Sequence, residues 1–209
     1  MNLFFEGFFL QASLVLALGA QNLFVLESGL QRRRQYFVAA ICSVCDAALI
    51  AIGVAGAASV FVQFPFLKIG FGVLGVGFLL YYGVKKSIEA FVPEKISVAT
   101  QALTYDLRKI TILTLSFTLL NPHVYLDTLI LIGGYSAKYS ELSARVAFGS
   151  GAAALSVFWF FALAAFASSL NSLLKSPKAV RMISFLSAAI LIMLSFKLGS
   201  EVYGGLAWE

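Results

Sequence analysis

Two polar, helix-breaking stretches interrupt long apolar runs: Gly19-Ala20-Gln21-Asn22 in the first, and Asn121-Pro122-His123-Val124-Tyr125-Leu126-Asp127 in the fourth. The 209 residues are 60% hydrophobic and only 12% charged, whereas soluble domains carry roughly 25% charged residues. So much apolar surface needs a bilayer as its solvent. Inside a bilayer an unpaired backbone group is costly, so a helix breaks at depth only where it lines a cavity or is covered by protein. Interrupted segments at matching places in two halves are the sequence mark of a transporter's site.

Six apolar segments can be marked, at about 3–26, 36–62, 66–84, 110–134, 146–170 and 180–203. Each is near or above the roughly 20 residues a spanning helix needs. The longest polar stretch, Lys85 to Lys109, separates the third from the fourth. The expected fold is an all-α integral membrane protein of six transmembrane helices, with helices 1 and 4 interrupted. Residues 1–90 form a first three-helix repeat, 91–109 a cytoplasmic connecting loop and 110–209 a second repeat. An odd number of spans per half gives the halves inverted topologies. A shift of one hundred residues lays Gln21-Asn22 on Asn121-Pro122, Leu26 on Leu126, Glu27 on Asp127 and Ser28 on Thr128.

Basic residues set the orientation. With the N-terminus outside, the cytoplasmic connections hold eleven of the fifteen: Arg32, Arg33, Arg34, Lys85, Lys86, Lys95, Arg108, Lys109, Lys175, Lys178 and Arg181. The outer side holds Lys68, Lys138, Arg145 and Lys197. Both termini are therefore expected outside; a five-span alternative places the N-terminus inside. No Lys or Arg precedes the first apolar run, unlike a secretory signal. Cys42 and Cys45 form a C-x-x-C inside an apolar helix, and read as packing rather than as a redox or metal site. Glycines at 53, 56, 70, 72, 75 and 77 suit close helix packing within the chain, or a homodimer seam.

The polar residues at depth carry the chemistry. Asp46 lies about eleven residues into segment two, roughly 16 Å at ~1.5 Å per residue, and Asp127 lies well inside segment four. A charged side chain at that depth costs about 2.5–3.5 kcal/mol and calls for a cation, a proton or water. No basic residue sits in the middle of any segment, so the cation is expected from outside, as substrate or proton. Pro122 cannot donate to the Thr118 carbonyl, which frees that oxygen for a ligand. Asn121 and Tyr125 share one helix face, and His123 and Asp127 another. Gly19 permits an irregular backbone, while Gln21 and Asn22 offer donors and acceptors to a zwitterion. His123, the only histidine, can titrate during transport or act as a fixed donor. Ser156 and Trp159 in segment five are weaker candidates: Trp159 can offer a face to a cation, but aromatic packing against lipid or a helix is the preferred reading.

These residues resemble the LysE family of basic amino-acid exporters, especially its arginine-exporting (ArgO) branch. The matching pieces are Gly19-Ala20-Gln21-Asn22 with Phe24-Val25-Leu26 and Gly29, then Asp46 with Leu49-Ile50. Leu120 to Thr128, Ser156 with Trp159-Phe160, and Ser176-Pro177-Lys178 with Arg181 follow in order. The resemblance implies export of L-lysine or L-arginine across a bacterial inner membrane, driven by the proton-motive force. It implies functional positions at Gln21, Asn22, Asp46, Asn121, Pro122 and Asp127, and no cofactor. Ala20 stands where the family usually has Pro. Glu27 is not expected from the family motif, and adds an acid near the cytoplasmic mouth that can attract cationic substrate. Neutral substrates of the threonine and homoserine type, and a passive small-solute channel, are the alternatives. A membrane enzyme is disfavoured: one histidine cannot build His-Glu-x-x-His, and no nucleophile motif stands beside it.

The resulting expectation is alternating access around one site. Asp46 and Asp127 exchange protons, with His123, for the substrate's cation. Gln21, Asn22, Thr118, Asn121, Tyr125 and Trp159 hold the substrate, and Gly19 and Pro122 provide the breaks.

Overall fold

The computed structural model describes residues 2–15, 19–32, 34–57, 65–91, 106–171 and 177–206, and every regular element among them is helical. In chain order these are α1 (Leu3–Val15), α2 (Ala20–Leu30), α3 (Gln35–Ile52, running on through a π-helical turn at Gly53–Ala57), α4 (Pro65–Phe91) and α5 (Leu107–Leu119). Helix α6 spans 122–136 as an α-helical start at Pro122–Val124, a π-helical stretch at Tyr125–Ile132 and an α-helical end at Gly133–Ser136. Helices α7 (Leu142–Ser169) and α8 (Pro177–Leu206) complete the fold. Arg33, Gln63-Phe64, Lys95, Lys175, Ser176 and residues 92–105 of the expected connecting loop lie outside the described residues.

Three described helical stretches are long and apolar enough to cross a bilayer: Gln35–Gly56, Leu142–Ser169 and Arg181–Gly204. The pair α1 and α2, bent by 82°, adds a fourth when counted as one broken span. At this break Gly19 caps α2 in an extended conformation (φ −91°, ψ 173°). The counterpart break between α5 and α6 follows from Asn121-Pro122. Proline at the first helical position needs no N–H partner, and the Asn121 side chain accepts from the His123 backbone N–H at 3.2 Å.

Each break is patched in the same way. The Asn22 amide donates to the carbonyl of Val15, the last residue of α1, at 2.8 Å. The Tyr125 hydroxyl donates to the carbonyl of Leu119, the last residue of α5, at 2.8 Å. In both cases a side chain just past the break satisfies an orphan carbonyl just before it. The breaks also meet: a Cβ on Gly19 would lie 3.6 Å from the Asn121 amide nitrogen.

Helix α7 is the hub, packing on α1, α2 and α3, while α4 packs along α8. Smaller contacts join α3 to α5 and α6, α2 to α5, α1 to α6, α2 to α8, and α4 to the start of α6. Two crossings are set by backbone contact. A Cβ on Gly151 of α7 would lie 1.8 Å from the Phe4 carbonyl oxygen, and one on Gly133 would lie 2.7 Å from Gly53 Cα. Of the glycines singled out in segments two and three, Gly53 and Gly72 pack within the chain, whereas Gly70 and Gly77 face open space. At one end of the bundle Glu6 of α1 pairs with Lys138, which lies over the Tyr135 ring at 3.8 Å. The bond to the Glu6 carboxylate holds the Lys138 ammonium above the ordinary lysine range.

The crossing geometry predicts that Gly151→Ala, which drives a methyl into the α1 backbone, destabilises the fold by about 1–3 kcal/mol. Gly77→Ala, with no atom in its way, costs nothing and gains helix propensity. Thermal unfolding of both variants in detergent checks this: the midpoint falls for the first and holds or rises for the second.

Candidate functional site

The two breaks open a cavity of about 270 Å³ between α1, α2, α3, α6 and α8. By liquid volume that is room for about nine waters, the scale of one amino acid. Gly19, Gln21, Asn22, Asp46, Asn121, His123 and Asp127 all line it, so most of the predicted residues converge and the two acids share one chamber. Thr118, Tyr125 and Trp159 stand outside the lining. Thr118 is fully buried with its hydroxyl 3.8 Å from the Cys42 sulfur. Tyr125 patches the α5 end, as described. Trp159 uses its indole N–H, donating to the Asn22 side-chain oxygen at 3.1 Å. Asn22 is thus clamped between Trp159 and the Val15 carbonyl.

Asp46 is the electrostatic centre. It is 2% exposed, and its two oxygens accept separately: Oδ2 from the Ser156 hydroxyl at 3.0 Å, and Oδ1 from the Gln21 amide at 3.4 Å. Both donors are neutral. Among the described residues no basic side chain forms an ion pair with it. A carboxylate held this way carries its desolvation cost with only dipoles to offset it, so a cation or proton entering the chamber gains a strong partner. Asp127 sits half-buried on the π-helical stretch of α6, in the same chamber, and makes no side-chain hydrogen bond or ion pair among the described residues. The π-helical turn widens the helix and re-aims its side chains, a common device at functional sites. His123, one turn earlier, lies 3.9 Å from Glu201 of α8.

Two lining residues escaped the sequence reading. Gln11 of α1 is 1% exposed and donates through Nε2 to the Ser156 hydroxyl at 2.9 Å, which extends the chain of donors behind Asp46. Its Oε1 is buried with no hydrogen-bond partner, an acceptor left over in a cavity wall. The only sequence signal was an amide within the first apolar run, where Gln21 and Asn22 drew attention away from it. Lys197 of α8 also lines the cavity, so a basic residue does reach the site, although it was assigned to a helix end.

The structure adds a partner to Glu27 and moves Lys86 onto a helix. Glu27 was expected near the cytoplasmic mouth as an acid that can attract cationic substrate, and Lys86 in a cytoplasmic connection. Helix α4 instead continues to Phe91, and Lys86 is buried on it, paired with Glu27. Gln31 donates to the same Glu27 oxygen at 2.9 Å, and the Lys86 ammonium stands 5.9 Å from the Tyr82 ring centroid. The pair lets each side chain stay buried; removing one partner of such a pair costs about 3–5 kcal/mol.

The LysE type translocator family matches this chain over residues 12–202. The arginine exporter protein ArgO of Yersinia enterocolitica is 35% identical over 96% of this chain and 98% of its own length. ArgO of Klebsiella pneumoniae is 34% identical over 96% and 95%. A putative amino-acid transporter, YggA, of Aeromonas salmonicida is 35% identical over 93% and 94%. No solved structure matches. A family match that takes in both breaks, both cavity acids and the hub helix α7 means that the chain belongs to the LysE type translocators.

Proposed function

We propose that this chain exports L-arginine, L-lysine or both from the bacterial cytoplasm across the inner membrane, exchanging them for protons by alternating access. As a translocator it is a transport protein and not an enzyme. The observation that carries the proposal is the shared chamber: two carboxylates, Asp46 without a basic partner, beside the amides of Gln21, Asn22 and Asn121. The names of the ArgO relatives support arginine as the cargo.

In this reading the substrate's guanidinium or ammonium sits between Asp46 and Asp127. Its α-carboxylate and amine face the amides of Gln21, Asn22 and Asn121. The chamber sets two carboxylates, Asp46 and Asp127, against the single ammonium of Lys197, so charge balance in the empty chamber calls for a proton, which the arriving cation displaces. Gln21, Ser156 and Gln11 position the carboxylate for either occupant.

Six spans in two inverted repeats complete the proposal, with both termini outside. The packing supports it. Matching α1 with α5, α2 with α6, α3 with α7 and α4 with α8 carries each contact onto another: α1–α7 onto α5–α3, α2–α7 onto α6–α3, α2–α5 onto α6–α1, and α2–α8 onto α6–α4. The paired patches at Val15 and Leu119 obey the same matching. Repeats related in this way rock about their interface and expose a midplane site to one side at a time. In this orientation the lining residues of α1 and of the second half of α8 mark the side to which we assign the outward opening.

Counterflow in proteoliposomes tests the substrate. Labelled arginine should exchange against unlabelled arginine and lysine but not leucine, and Asp46→Asn should lose exchange by at least about 100-fold. Competition by threonine or leucine would move the chain to neutral substrates. Gln11→Leu removes the buried bond to Ser156 that positions the Asp46 carboxylate, worth about 0.5–1.5 kcal/mol, and should raise the half-saturation concentration about two- to tenfold. Protons flowing down a pH gradient in the direction opposite to arginine should accelerate net arginine flux; flux that ignores the gradient and does not saturate would identify a passive channel.

A further inference from the structure

Helix α2 passes through three layers on its way from the chamber to the Arg32 turn. Gln21 faces the chamber, Phe24 lies one turn further, and Glu27 a turn beyond that, about 9 Å along the axis from Gln21. The Phe24 layer is an aromatic plug. Phe24 stacks on Phe117 at 4.6 Å between ring centroids, and Phe78 and Tyr82 each meet Phe117 edge-on at 4.8 Å. Beyond the plug lies a second cavity of only about 20 Å³, lined by Phe24, Glu27, Ser28, Gln31, Tyr82 and others. It has room for about one water and cannot hold an amino acid. Glu27 forms one of its walls, and the Lys86 ammonium holds the Glu27 carboxylate.

We infer that Glu27 is a second cation-binding site on the transport path, and that Lys86 latches it in the closed state. The Lys86 side chain ends in the group that a free lysine would present, so it stands in for the substrate's own cation. When the Arg32 end opens, Lys86 withdraws with α4, the small cavity widens, and the side-chain ammonium or guanidinium of a cationic amino acid takes its place on Glu27. Glu27 then hands the cation past Phe24 to Asp46. A neutral amino acid cannot replace Lys86, so the latch also selects for charge. This inference rests on the proposed basic amino-acid substrate.

The test is thiol labelling at Ser28→Cys, in a chain carrying Cys42→Ala and Cys45→Ala, in detergent, with a polar maleimide. In this parent the residue is buried and should react slowly. Glu27→Gln/Lys86→Gln removes the pair without stranding a charge, and should react at least about tenfold faster. The charge-exchanged Glu27→Lys/Lys86→Glu keeps a pair and should react as slowly as the parent. Lys86→Gln alone should react fast, with saturating arginine slowing it severalfold and leucine having no effect. Arginine should give no protection in the doubly neutral variant, which lacks the carboxylate. A doubly neutral variant as slow as the parent, or an exchanged pair as fast as it, overturns the latch. Arginine protecting both variants equally, or neither, while the wild type exchanges arginine in liposomes, overturns the Glu27 site. A wild type that exchanges no arginine, with the latch still opening on neutralisation, overturns the transport reading instead.

Discussion

The structure depends on how a membrane protein breaks two helices without leaving backbone groups unpaired. Gly19 and Asn121-Pro122 interrupt their spans next to one another, and Asn22 and Tyr125 return a side-chain donor to the carbonyl left behind. Those bonds are what permit a polar chamber at depth. They also explain why neither side chain is only a ligand group: Asn22 lines the chamber while its amide is committed to Val15, and Tyr125 supports the chamber from outside it.

The second determinant is a contrast between two buried acids on one path. Asp46 is surrounded by neutral donors in a chamber the size of a small solute. Glu27 is matched by a lysine beside a space the size of a water. The first arrangement favours an occupant that brings charge, and the second is already satisfied. An aromatic layer from α2, α4 and α5 separates them. On the path inferred above, a cation moving along α2 meets acid, apolar and acid layers in turn, an order suited to stepwise transfer.

Much of the chamber was legible in the sequence because intramembrane acids, amides and breaks are expensive and therefore conspicuous. Gln21, Asn22, Asp46, Asn121, His123 and Asp127 were each visible on that ground, and the structure lines one cavity with them. What the sequence hid was pairing. A helix boundary read from charge placed Lys86 outside the bundle, because nothing local shows that Glu27, distant in sequence, would neutralise it. Trp159 was a weaker candidate on its ring face alone, and its N–H bond to Asn22, a contact across 137 residues, has no local signal. Gln11 was passed over because one amide in an apolar run reads as tolerated; only the fold brings it against Ser156, with its oxygen buried and unpartnered among the described residues. The repeat proposed for the two halves is faint in residue identity, and its support comes from which helix packs on which.

The most direct measurement of the central claim is an experimental structure of the protein in lipid nanodiscs with L-arginine at saturation. The account predicts density for one arginine in the chamber, with its guanidinium between the carboxyl groups of Asp46 and Asp127 and its backbone end toward Gln21 and Asn121. Arginine bound elsewhere with the chamber empty, or a guanidinium turned away from both acids, would contradict it.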